Sequence, residues 1–312
     1  MGRGPTIKGS RLRNLTLMRS TPFDHLTIRG LLAQAESSLA EGPHPERARR
    51  DAEMLLLHAM KVDAPDANLA WLIAHEHETL PAQANTDFRA SVERRRAGEP
   101  IQYITGEAEF YGLSFKVNRQ VLIPRPETEH LVEKVIELAR GFERQRIVDV
   151  GTGSGAIAVV LASHLPAARI HATEKSAAAL KVARANAERN RVAERVRFHE
   201  GDLLAPVADK RFDLIVSNPP YVPESDRDSL SVEVRDYEPA QALFAGPGGL
   251  KIYRRLIPAA FGALFHERYL ALEIGFGQEA AVNALLAAAG FIGIEFTKDL
   301  QGIPRVAIAR RP

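Results

Sequence analysis

Apolar residues change their spacing three times along this chain. From about Thr27 to Arg96 they recur at helical spacing, as in Ala52, Leu55, Leu56 and Ala59 just beyond the charged Arg49, Arg50 and Asp51. Trp71, Leu72 and Ile73 form a second apolar cluster, and Phe88 with Val92 a further amphipathic stretch. Pro43, Pro45, Pro65 and Pro81 punctuate these segments as helix breakers do. The pattern predicts a small helical bundle over residues 24–97. Between Gly98 and Ile123 the period shortens to two. Leu113, Phe115 and Val117 alternate with polar positions while Gly106 and Gly112 mark turns, which predicts a β-hairpin linker over residues 98–123. Pro124-Arg125-Pro126 stops the extended chain, and Glu127, Thr128 and Glu129 open a helix through Ala139, with acids where the helix dipole favours them.

From Arg146 onwards strands and helices alternate. Arg146–Val150, Arg169–Thr173, Val196–His199, Asp213–Ser217 and Tyr269–Ile274 read as strands. Ala156–His164, Ala177–Asn190, Leu250–Leu264 and Gln278–Ala289 read as the helices between them. Phe291–Phe296 and Arg305–Ala309 add two closing strands, at least one of them antiparallel. This order predicts an α/β catalytic domain over residues 124–312: a doubly wound, mostly parallel, seven-stranded sheet that binds ligands at the carboxyl ends of its strands.

Composition narrows the classes. Hydrophobic residues at 45% and charged residues at 26% are ordinary for a globular protein. The absence of cysteine excludes disulfides and thiolate metal sites. His75 and His77 stand two apart without carboxylates at ligand spacing, so no metal site is expected. The formal net charge of +2 does not advertise nucleic-acid binding, and Arg94-Arg95-Arg96 reads as a solvated helix face. No apolar run approaches the ~20 residues of a membrane helix. Residues 1–23 carry Arg3, Lys8, Arg11, Arg13 and Arg19 with no acid before Asp24. They read as a disordered tail, or as sequence upstream of a start at Met18; a mitochondrial transit peptide is the competing reading. A cytoplasmic monomer is expected.

The chemistry sits at two strand ends. Ile147-Val148-Asp149-Val150 runs into Gly151-Thr152-Gly153-Ser154-Gly155, a strand, a glycine turn and a helix start. The glycines allow a tight turn and a close backbone approach to a ligand. With Ala156 the run also fits the dinucleotide pattern, so a nicotinamide dehydrogenase is a competitor. Asp149 resembles the acid of methyltransferase motifs that meets the methionine amino group directly or through a bridge. Glu174 ends the next strand, where a carboxylate can accept both ribose hydroxyls. After the third strand, Asp202 can accept from an adenine amino group while Leu203 packs on the ring. These residues point to S-adenosylmethionine. At the end of the fourth strand stands Asn218-Pro219-Pro220-Tyr221. Its prolines fix the backbone and remove two donors. The Asn218 side-chain oxygen and the Pro219 carbonyl can then hold both hydrogens of an amide or aromatic NH2 group, with Tyr221 as a ring to stack on. Such acceptors stabilise the positive charge that develops on the nitrogen during methyl transfer. An N6-adenine DNA or RNA methyltransferase would use the same motif, but it must flip a base and grip phosphates. A dehydrogenase leaves the motif unexplained, and a silent binding module leaves the glycine turn without a role.

Beyond these motifs, the chain resembles the N5-glutamine methyltransferases of peptide chain release factors, from about residue 25 to its carboxyl terminus. The likeness rests on Gln102-Tyr103-Ile104-Thr105-Gly106, Phe110-Tyr111-Gly112, Leu122-Ile123-Pro124-Arg125-Pro126-Glu127-Thr128-Glu129, the glycine turn, Ser217-Asn218-Pro219-Pro220-Tyr221 and Tyr237-Glu238-Pro239. The resemblance implies a class I S-adenosylmethionine-dependent fold. It implies that the glycine turn, Glu174, Leu203 and Asn218 bind the cofactor, and that Asn218–Tyr221 bind the glutamine of a Gly-Gly-Gln motif in a class 1 release factor. It also implies that the helical domain docks onto that factor. The family usually has Asp where this chain has Glu174, a change that keeps the carboxylate. Arg125 and Glu127 either line the substrate channel or cap the helix after Pro126; both readings stay open.

Overall fold

The computed structural model describes Met1 and residues 26–142 and 145–312. The tail expected over residues 1–23 lies, beyond Met1, outside them. Two compact units divide the chain: Met1–Ala40 with Glu46–Val92, and Glu41–Pro45 with Glu93–Pro312.

The first unit is helical, with α1 (Ile28–Ala40), α2 (Ala48–Ala59), α3 (Leu69–Ala74) and most of α4 (Ala82–Arg96). The spacing of Ala52, Leu55 and Leu56 puts all three on a buried stripe of α2, and Ile28, Leu31 and Leu32 do the same for α1. Asn68 caps α3 by accepting from the Trp71 amide at 3.1 Å. Only Leu72 of the Trp71–Ile73 cluster is buried, because consecutive residues of a helix cannot share one face.

In the second unit, α5 (Ile101–Thr105) precedes a hairpin of β1 (Glu107–Phe110) and β2 (Leu113–Lys116). Its two-residue turn is Tyr111-Gly112, with φ of 52° and 71°, the left-handed pair that twisted antiparallel strands favour. Glu129 accepts from the Tyr111 amide at 2.7 Å and holds that residue in its uncommon conformation. The α5 turn was not expected within the linker; five residues behind Pro100 are too few to show a helical period. The last turn of α4 also corrects the expectation of a solvated Arg94–Arg96 face. Arg95 is only 2% exposed, paired with Glu233 and donating to the Glu99 carbonyl.

The sheet follows with α6 (Glu127–Ala139), β3 (Arg146–Val150), α7 (Ala156–His164), β4 (Arg169–Glu174), α8 (Ala177–Arg189), β5 (Val196–Glu200) and β6 (Phe212–Ser217). Two short helices, α9 (Val232–Tyr237) and α10 (Ala240–Leu243), lead to α11 (Lys251–Ala263), β7 (Leu264–Glu273), α12 (Glu279–Ala288), β8 (Ile292–Lys298) and β9 (Pro304–Arg310). Strand order is β5-β4-β3-β6-β7-β9-β8, parallel through β7, with β9 antiparallel to both neighbours. The expected doubly wound, mostly parallel, seven-stranded sheet is the one observed.

Alternation along the central strands feeds two cores. Ile147, Leu214, Val216 and Ala271 join α6 and α7 on one face, while Val148, Ile215, Leu270 and Leu272 join α11 and α12 on the other. Chain order reverses between β3 and β6, so loops leaving their carboxyl ends diverge and open a crevice there. Asn186 of α8 links the hairpin to that crevice. Fully buried, it accepts from the Lys116 amide at 2.6 Å and donates to the carbonyls of Lys116 at 2.9 Å and Ser154 at 2.8 Å. Asn186→Ala leaves three backbone groups without partners, at about 1 kcal/mol each. A urea denaturation series is expected to show this unit losing about 3 kcal/mol, and an unchanged midpoint would contradict the linking role.

Candidate active site

The glycine turn departs from β3 on three left-handed residues: Gly151, Gly153 and Gly155 have φ of 75°, 55° and 82°. Their amides are used differently. Gly151 and Thr152 both donate to the Thr173 carbonyl, at 2.9 and 3.0 Å, which locks the turn onto β4. A Cβ on Gly151 or Gly153 would meet no atom within 4 Å, so this side of the turn faces open space. A Cβ on Gly155 would lie 3.0 Å from the Ala183 Cβ, so that glycine is required by helix packing and not by a ligand.

Glu174 closes the far side of the turn. Its Oε2 accepts from the Gly153 amide at 3.0 Å and its Oε1 from the Ser176 amide at 2.9 Å. Both oxygens are thereby aimed while keeping free lone pairs. Asp149 sits deeper, fully buried, with Oδ2 accepting from the Thr152 hydroxyl at 2.5 Å. Burial raises its pKa to about 7 against the pull of Thr152 and the Ala158 amide. Its Oδ1 is enclosed without a hydrogen bond of conventional geometry. Gly201-Asp202-Leu203 follows β5, with Leu203 in the left-handed region at φ 48° and Asp202 paired with Arg255.

Beside the glycine turn, the Ser217 hydroxyl at the end of β6 donates to the Val150 carbonyl at 2.7 Å. Asn218 and buried Pro219 follow directly. The Asn218 amide donates from Nδ2 to the Thr128 hydroxyl at 3.1 Å, and its Oδ1 accepts no hydrogen bond among the described residues. Thr128 donates in turn to Glu273 Oε2 at 2.7 Å, and Tyr221 donates to Glu273 Oε1 at 3.2 Å. Gln278 fixes the loop from behind by donating to the Tyr221 carbonyl at 2.9 Å.

One cavity of about 340 Å³ joins these parts. Its wall includes Gly151, Thr152, Gly153, Ser154, Glu174, Asp202, Leu203, Asn218, Pro219, Pro220 and Arg125. Four expected site residues are not on that wall. Asp149 lies behind the wall, bonded to the Thr152 hydroxyl that forms part of it. Gly155 serves packing. Glu127 is exposed in the first turn of α6, away from the wall, whereas Arg125 reaches the wall and pairs with Glu238 at 2.5 Å. Tyr221 corrects the reading of a stacking ring. It packs against the core beside Gly275 with its hydroxyl on Glu273, and burial raises its pKa further above the usual phenol range. Thr128 and Glu273 were missed, although Thr128 lay inside a motif that the sequence had singled out. Away from the cavity, the His75 ring stacks on Trp71 at 4.3 Å.

The strand order with β9 reversed and a glycine turn facing an Asn-Pro-Pro-Tyr loop define a class I methyltransferase. Two family models match: the methyltransferase small domain over residues 127–251 and the PrmC N-terminal domain over residues 30–106. A release factor glutamine methyltransferase of Moorella thermoacetica is 44% identical over 287 residues, covering 92% of this chain and 99% of that protein. The enzyme of the same name from Bacillus subtilis is 41% identical, covering 91% and 97%. The chain belongs to the release factor glutamine methyltransferase family. Among solved structures, the hMettl16 catalytic domain in complex with a MAT2A 3'UTR hairpin shares the fold, with a TM-score of 0.54 at 19% identity over 73% of this chain and 82% of that one.

Enzymes of this class use S-adenosylmethionine, and the residues present fit it: an aimed carboxylate at Glu174, glycines open to the cavity, and a buried Asp149 carboxylate bonded to the Thr152 hydroxyl on the cavity wall. Gly153→Ala places a methyl group in that space at a strain of about 1 kcal/mol. It is expected to abolish S-adenosylhomocysteine binding in calorimetry with little loss of stability. Gly155→Ala is expected to lower the thermal midpoint more than Gly153→Ala, and the reverse order would contradict the assignment of the two glycines.

Proposed function

We propose that the chain methylates the side-chain amide nitrogen of the glutamine in a Gly-Gly-Gln motif of a class 1 release factor. The observation that carries this reading is the orientation of Asn218 on the cavity wall, whose amide nitrogen donates to Thr128 and whose oxygen is left to accept from a substrate. The donor, S-adenosylmethionine, supplies a methyl group on a sulfonium. The chain's residues do the rest. Glu174 accepts from ribose hydroxyls, Asp202 and Leu203 hold adenine, the glycine-turn backbone lets the donor approach, and Asp149 acts on its amino group through Thr152. Asn218 Oδ1 and the Pro219 carbonyl, which accepts no hydrogen bond among the described residues, take the two hydrogens of the glutamine NH2.

An amide nitrogen is a poor nucleophile because its lone pair is shared with its carbonyl. Two acceptors aimed at its hydrogens stabilise the charge that grows on it, and fixing its approach lowers the barrier further. No strong base is needed, since the methylated nitrogen sheds a proton readily. The helical unit, which carries most of the PrmC N-terminal domain match, is the surface proposed to dock onto the release factor. Reaction on a translation factor suits a cytoplasmic enzyme.

Incubation with methyl-labelled S-adenosylmethionine, release factor and nucleic acid is expected to label only the Gly-Gly-Gln glutamine. Asn218→Ala is expected to lower kcat roughly 10²–10³-fold, the scale for loss of one preorganised hydrogen-bonding group, with cofactor affinity nearly retained. Label on adenine instead of glutamine, or an Asn218→Ala enzyme at full rate, refutes the reading.

A further inference from the structure

A carboxamide has two ends of nearly equal size and opposite hydrogen-bonding sense. Turned over, Asn218 would offer hydrogens to the hydrogens of an incoming NH2 group, and the site would repel its substrate. Something must therefore fix which end faces the cavity. Packing cannot do this, because the two ends fill the same space.

The structure carries a polar relay that can. Glu273 at the end of β7 is 2% exposed, and when ionised its carboxylate only accepts. It accepts from the Thr128 hydroxyl at 2.7 Å, which uses the single hydrogen of that hydroxyl. Thr128 has only lone pairs left for Asn218, 3.1 Å away, so Asn218 must present Nδ2 to it. Oδ1 is then the end that faces the cavity. We infer that Glu273, acting through Thr128, is the positioning residue that sets the orientation of the Asn218 carboxamide; the inference rests on the methyl-transfer reading above.

The surroundings support this account. The Tyr221 hydroxyl donates to the other carboxylate oxygen at 3.2 Å, and the Tyr253 hydroxyl donates to the Glu273 carbonyl at 2.8 Å, so the residue is held at both side chain and main chain. Burial raises the Glu273 pKa to about 7, reinforced by Glu127 and opposed by Thr128, Tyr221 and Arg305. A protonated Glu273 could donate to Thr128 and release the hydroxyl hydrogen toward Asn218. The relay therefore keeps its sense on the alkaline side of that value. Such a carboxylate costs stability where it stands, which argues for a use beyond packing.

The test compares Thr128→Val, which keeps shape and loses the hydroxyl, with Thr128→Ser, which keeps the hydroxyl and loses a methyl group. Both are assayed as full chains by transfer to release factor. Thr128→Val is expected to lower kcat roughly 10–100-fold, the range for partners that orient a functional group from behind. Its KM for release factor and S-adenosylhomocysteine affinity are expected to stay near wild type, and Thr128→Ser is expected to retain most of kcat. Glu273→Gln, whose side-chain oxygen still accepts from Thr128, is expected to retain more of kcat than Thr128→Val. A Thr128→Val enzyme with wild-type kcat, or one whose loss Thr128→Ser shares equally, overturns the relay while leaving the functional reading intact. A wild-type enzyme that labels no release factor overturns both.

Discussion

The hydrogen bond from the Ser217 hydroxyl to the Val150 carbonyl, 2.7 Å long, ties together the last residues of two neighbouring parallel strands. From one side of it the chain leaves as the glycine turn, from the other as the Asn-Pro-Pro-Tyr loop. Everything functional depends on this adjacency, because a methyl donor and a methyl acceptor must meet within a few ångströms along one line. The sheet order creates it: β3 and β6 are neighbours in the sheet with two strands, β4 and β5, intervening in sequence. Each loop is then fixed a second time from behind, the turn by Thr173 and Asn186 and the loop by Gln278 and Thr128.

Two carboxylates are buried close behind this crevice, Asp149 under the turn and Glu273 under the loop, and burial raises both pKa values to about 7. An unfolded carboxylate releases its proton near pH 4. Across the window from about 4 to about 7 the native state therefore holds protons that the unfolded chain does not, and stability falls as pH rises through it. At neutral pH these two groups oppose folding. Both touch a hydroxyl on the cavity wall, Thr152 or Thr128, so one side chain stands between each carboxylate and the cavity.

The sequence carried the scaffold well for a physical reason. Buried parallel strands are short apolar runs and their helices begin and end on legible signals, so β3 over Arg146–Val150 and α7 over Ala156–His164 match the expected bounds. That the glycine turn, Glu174 and Asn218 line one cavity was legible because each stands at the carboxyl end of a neighbouring strand. What was hidden acts across space. Asn186, Thr128 and Glu273 look like ordinary helix and strand residues until folding brings positions 70 to 145 residues apart into contact. The bond from the Tyr221 hydroxyl to Glu273 on β7 was hidden for the same reason, since its partner stands 52 residues away.

A crystal structure with S-adenosylhomocysteine and a Gly-Gly-Gln peptide decides whether the two loops meet the glutamine in this way. The glutamine Nε2 is expected within hydrogen-bond distance of both Asn218 Oδ1 and the Pro219 carbonyl, facing the cofactor sulfur, with Asn218 Nδ2 still on Thr128. A glutamine bound elsewhere, or an Asn218 whose nitrogen faces it, overturns this geometry.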